Sequence, residues 1–103
     1  MSYTKKFGKA KDYVDNGEWH HIVEQQTVTK GINSPSSVYN SYNTVPIPKS
    51  LHTKISSYYS SLHKNGQTFR QYVNTLPYKQ QYKEGLRVLK ELAEKYGVNI
   101  LWL

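Results

Sequence analysis

Two short extended segments separated by a long polar stretch, with helical periodicity over the second half of the chain, predict an α+β fold. Three observations carry this reading. Glu18-Trp19-His20-His21-Ile22-Val23 follows the turn signal Asp15-Asn16-Gly17 and is rich in β-branched and aromatic residues. Asn43-Thr44-Val45-Pro46-Ile47-Pro48 reads as a second strand. Beyond it, Leu51, Ile55, Tyr58, Tyr59 and Leu62 recur at helical spacing, as do Tyr82, Leu86, Leu89, Leu92, Ala93 and Tyr96. At 103 residues the chain suits a single domain, 1–103, and is too short for two.

Taken in order, residues 1–16 form a basic N-terminal arm that ends in the turn, with a short helix possible inside it. Residues 24–42 are polar and hold Gly31, Pro35 and several Ser and Asn, so they read as a long loop with one helical turn near Ser36–Tyr39. Such a loop in a small domain is usually functional. Pro46 and Pro48 remove two ladder donors and confine the second strand to a short or edge position. Ser50 suits the N-cap of the helix that follows, and Asn65-Gly66 stops it. Gln67 or Thr68 starts another helix through about Leu76, and Pro77 breaks it. From Tyr78 to Tyr96 runs a longer helix with Gly97 as its C′ residue. Gly85 inside it costs about 1 kcal/mol against Ala, which suggests close packing at that point. Val98–Leu103 reads as a strand or a tail docked on the core.

Charge narrows the partners. Fourteen Lys and Arg face seven Asp and Glu, a formal +7, and such a field favours polyanions such as nucleic acid or an acidic protein. Only Arg70 and Arg87 are arginines. Lysine suits phosphate but reads base edges poorly, so backbone binding with little sequence specificity is expected. Ten tyrosines can bury rings while their hydroxyls reach water or phosphate. With no Cys, disulfides, thiolate-bound zinc and thiol nucleophiles are excluded. The longest apolar run, Val98–Leu103, is far short of a membrane span, so no membrane insertion is expected. The N-terminus has positive charge without an apolar core and does not read as a signal peptide.

Three features then fall in a fixed order: Glu18-x-His20-His21, Asn43 at the second strand, and His52 in the first turn of a helix. Phosphodiester hydrolysis needs a base near neutral pH and a cation for the charge that develops on phosphate. Imidazole serves as base and also as metal ligand. Adjacent residues on a strand point to opposite faces, so His20 and His21 share one site only if the strand twists or ends there.

Glu18-Trp19-His20-His21-Ile22-Val23-Glu24-Gln25, with Tyr39-Asn40-x-x-Asn43-Thr44-Val45-Pro46-Ile47-Pro48-x-x-x-His52-x-x-Ile55-Ser56-x-Tyr58-Tyr59, resembles the HNH/endonuclease VII (His-Me finger) superfamily. Within it, the resemblance is to the Trp-His-His branch found as C-terminal domains of polymorphic bacterial toxins, and it covers about residues 17–60. It implies a ββα-metal finger over 17–63, a short two-stranded hairpin with a long loop and then a helix, extended by C-terminal helices over 64–103. It implies a catalytic group of His21 as general base, Asn43 fixing the loop or contributing to the site, and Glu18 near the base. His20 and His52 would hold a divalent ion (Mg²⁺, Mn²⁺, Zn²⁺ or Ni²⁺), while Ser56 stands where many relatives place a further His. Lys49 and Lys54, flanking His52, are the expected phosphate contacts. The family further implies a delivered effector acting in the cytoplasm of a target cell, a larger N-terminal delivery region, and a cognate acidic immunity protein. DNA and RNA both stay open as substrate.

Residues outside this set have blander roles. Trp19 reads as core, Glu24 as a solvated or lysine-paired carboxylate, and His63 as a surface residue near a helix end. Two other function classes compete with the metal-dependent nuclease. One is a metal-independent ribonuclease using two His as acid and base. The other is a non-catalytic basic nucleic-acid-binding domain.

Overall fold

The computed structural model describes residues 8–101, so Lys5 and Lys6 of the arm, together with Trp102 and Leu103, lie outside it. The chain is α+β. A 3₁₀ turn at Ala10–Asp12 leads into β1 (Gly17–His21), which pairs antiparallel with β2 (Thr44–Pro48) in a two-stranded sheet. Glu18 stands opposite Ile47, His20 opposite Val45 and His21 opposite Thr44. The connection between the strands holds two short helices, α1 (Gln26–Thr29) and α2 (Pro35–Val38), and a 3₁₀ turn at Ser41–Asn43. It is therefore more structured than the expected loop, because side chains bind its own backbone. The Thr27 hydroxyl donates to the Glu24 carbonyl (2.7 Å), and the Asn40 carboxamide oxygen accepts from the Tyr42 and Asn43 amides.

Three further helices follow: α3 (Lys49–Ser60), α4 (Phe69–Asn74) and α5 (Tyr78–Lys95). Helix α3 is capped by Pro48, not Ser50, and without a side-chain cap bond. The fixed φ of proline leads directly from strand to helix. Helix α4 opens with a capping box: Thr68 accepts from the Gln71 amide while the Gln71 side chain accepts from the Thr68 amide. Helix α5 closes with a paired reversal, in which Val98 N–H reaches the Ala93 carbonyl (2.8 Å) and Gly97 N–H the Glu94 carbonyl (3.3 Å), with Gly97 at φ +70°. Val98 and Ile100 then pack on the core without forming a strand, so the tail is a docked one over its described part.

One cluster unites the sheet with α3, α4 and α5, through Ile22, Val45, Ile47, Leu51, Ile55, Tyr59, Phe69, Val73, Val88 and Leu89. Leu51, Ile55 and Tyr59 form the buried stripe of α3, whereas Leu62 lies beyond its end and is 77% exposed. The buried face of α5 is Gln81, Gly85, Val88, Leu89 and Ala93. Tyr82, Leu86 and Leu92 flank it, and Tyr96 is exposed. This face is rotated from the one expected because its centre is a glycine. A Cβ at Gly85 would stand 2.2 Å from the Ile22 carbonyl oxygen, so the helix rests on backbone there. Ile22 directly follows the histidine pair.

Candidate active site

Strand β1 ends at His21, which still pairs with Thr44. Trp19, His20 and His21, its last three residues, all line one cavity of about 270 Å³. His52 and Ser56, one turn apart on α3, form its second wall. The His20 and His52 rings meet edge to face with centroids 5.3 Å apart, and His21 lies edge-on to Tyr39 at 5.7 Å. Trp19 is only half-buried; its ring contacts Tyr13 on one side and it lines the cavity on the other, so it is more than a core residue.

Asn43 holds the end of the strand in place. Its carboxamide oxygen accepts from Val23 N–H (2.8 Å), and its Nδ2 donates to the carbonyls of Val23 and Val38 (3.0 Å each). Its own carbonyl accepts from Ile22 N–H at 2.8 Å. The residue is fully buried and does not line the cavity, so of the two roles expected for it, it performs the loop-fixing one. Glu18 lies beside His52 and not beside His21: its Oε1 is 2.7 Å from His52 Nδ1. A carboxylate only accepts, so Nδ1 carries a proton, and the tautomer this contact selects is the one whose lone pair is on Nε2.

Both strand histidines are neutral at pH 7. Burial, followed by the neighbouring His52 and His21, pushes His20 down to about 3. Burial and then His52 push His21 down to about 4. A neutral imidazole carries one lone pair, and that nitrogen is where a proton or a cation binds.

The expected lysines are elsewhere. Lys49 borders a separate depression with Asp15 and Asn16. Lys54, two residues past His52 and so on the far side of α3, holds its Nζ 5.3 Å above the Tyr96 ring. The cation that does line the histidine cavity is Arg70 of α4, held by Glu24. Neither was singled out from sequence as part of the site. They lie 46 positions apart and no local pattern joins them.

His20 and His52 fit a metal site of modest donor number. Two imidazoles sharing one tetrahedral ion at about 2.0–2.1 Å place their centroids roughly 5 Å apart, close to the separation seen. A carboxylate on the outer nitrogen of His52 is the usual support for a metal-bound imidazole. Among the described residues no three His, Cys, Asp or Glu form a metal-holding group, so water and phosphate oxygens would complete the sphere. A scan of family models, a search of curated proteins and a search of solved structures each return no match for this chain. Among the described residues no helix is long and apolar enough to cross a membrane.

Proposed function

We propose that this chain is a metal-dependent endonuclease of weak sequence specificity, built on a ββα-metal finger formed by β1, β2 and α3. The observation that carries the reading is the convergence of His20, His21 and His52 on one cavity, with Glu18 fixing the tautomer of His52. His20 and His52 would hold the divalent ion, which neutralises charge developing on the phosphate and the leaving oxygen. His21 takes the proton of the attacking water as its oxygen bonds to phosphorus and the phosphorus–oxygen bond to the leaving group breaks. A base held at about 4 is weak on its own, but an anionic phosphate brought beside it shifts the balance upward. Burial of the cavity wall keeps His21 from protonating before substrate arrives.

The resemblance to toxin domains extends this reading to a delivered effector, carried by a larger N-terminal region into a target cell's cytoplasm. The +7 charge suits both nucleic acid and a cognate acidic immunity protein. The test is incubation of plasmid and total RNA with the protein, with EDTA and with added Mg²⁺, Mn²⁺, Zn²⁺ or Ni²⁺. Metal-dependent cleavage, abolished in His21→Ala while nucleic-acid binding persists, is the expected result. EDTA-resistant cleavage of RNA alone would select the metal-independent ribonuclease, and binding without cleavage the non-catalytic domain.

A further inference from the structure

Among the described residues no lysine lines the cavity that holds the histidines. Among the described residues, Arg70 is the one Lys or Arg lining it. A guanidinium keeps its charge at any pH the protein meets, so Arg70 supplies a permanent cation at this wall. Arg70 is also fixed in place. Its Nε donates to both Glu24 oxygens (2.9 and 3.2 Å), its Nη2 to Oε2 (3.0 Å) and its Nη1 to the Ser60 hydroxyl (3.0 Å). Its guanidinium carbon lies 5.6 Å over the Tyr59 ring. Glu24 thus takes the side edge of the fork. Each terminal nitrogen carries two hydrogens, and these bonds leave one on Nη1 and one on Nη2. N–H groups remaining on both terminal nitrogens suit the oxygens of a phosphate.

We propose that Arg70 holds the non-bridging oxygens of the substrate phosphodiester, with Glu24 as the positioning residue that presents it. This rests on the nuclease reading above. The assignment separates two tasks. Lysines spread over the surface give affinity for the polyanion, while one pre-oriented arginine selects where the phosphate sits relative to His21. The alternative is a purely structural clip in which Arg70 ties α4 to the segment after β1, and the two partners of the pair then matter equally.

The experiment compares wild type, Arg70→Lys and Glu24→Gln in metal-loaded cleavage, with folding checked by circular dichroism. Arg70→Lys keeps the charge and loses the fork, so kcat should fall about 100-fold while KM on long nucleic acid stays within about threefold. Glu24→Gln keeps the guanidinium and should retain kcat within about tenfold. Equal losses in the two variants, or full activity of Arg70→Lys, would overturn the assignment. A readout independent of turnover is a titration of wild type with inorganic phosphate, followed by the Arg70 Nε–H resonance in a ¹H–¹⁵N spectrum. A saturable shift, absent when chloride replaces phosphate at equal ionic strength, is expected; no shift counts against the proposal even if cleavage is seen. Conversely, a wild type that cleaves nothing under any ion but shows the phosphate shift keeps the Arg70 seat and removes the nuclease reading.

Discussion

Gly85→Ala should destabilise the protein although it places a better helix former in the middle of a helix. Propensity alone favours Ala by about 1 kcal/mol. Against this, the new methyl would meet the Ile22 carbonyl oxygen at 2.2 Å, its Cγ2 at 3.0 Å and its carbonyl carbon at 3.1 Å. The nearest of these atoms is backbone, so no rotamer change relieves the contact. Helix α5 or the segment after β1 must move by about 1 Å, and overpacking of this kind costs about 1–3 kcal/mol. Net of the propensity gain this is up to about 2 kcal/mol, a fall in Tm of up to roughly 15 °C for a domain of this size. The displaced residue is bonded to His21 and donates its amide to Asn43, so the imidazole resonances of His20 and His21 should shift as well. Gly97→Ala is the control. It meets nothing within 4 Å and pays only for its positive φ, about 1 kcal/mol, without moving the histidines. Thermal melts and ¹H–¹⁵N spectra of the three proteins decide. A raised Tm with unmoved histidine resonances for Gly85→Ala would show that α5 does not rest on the Ile22 backbone.

The buried neutral histidines make acid a denaturant. Their folded values, about 3 and about 4, lie below the unfolded 6.5, so the unfolded chain holds more protons in between and stability is lost as pH falls below about 6.5. For the metal-free protein, moving from pH 7.5 to 4.5 should cost about 5 kcal/mol, read from urea midpoints; a flat profile would refute the burial argument. Asn43→Ala leaves three buried backbone groups unmatched and should cost about 3 kcal/mol. Asn43→Asp should not rescue it, because the carboxylate turns an acceptor toward two carbonyls; a native-like melt for Asp would count against the clamp. Glu18→Gln should change stability by less than about 1 kcal/mol, the pair being partly exposed, yet weaken divalent-ion affinity roughly tenfold. Calorimetry with Mn²⁺ showing equal affinity in both proteins would remove Glu18 from its orienting role.

What could be read from the sequence was local. The helix start at Gln67 or Thr68, the reversal at Gly97 and the strand after Asn16-Gly17 each lie within a few residues, and the backbone obeys them. Close packing at Gly85 was legible because an unexplained glycine inside a helix needs a reason. The buried face of α5 was not, because apolar periodicity gives Gly85 and Gln81 no weight, although packing centres on them. Gln81 is buried by its bonds to Asn33 and to the Leu76 carbonyl, partners that periodicity does not register. The histidines could be named but not their shared cavity, whose other walls come from α3 and α4. Arg70 was invisible as a site residue because its role is set by Glu24 across 46 positions of chain.

That separation bears on the order of assembly. The contacts that shape the cavity join residues 20, 34 and 46 positions apart: Val23 with Asn43, Glu18 with His52, and Glu24 with Arg70. Each closes a longer loop than the one before, and longer closures come later in folding. A growing chain that has reached the end of α3 already contains every histidine of the cavity, but it lacks the wall supplied by α4 and the seat supplied by α5. The turn at Asn65-Gly66, exposed and with both residues at positive φ, lies between those two portions. A peptide cut there would divide the cavity between two fragments, neither holding it alone, and joining them would restore it.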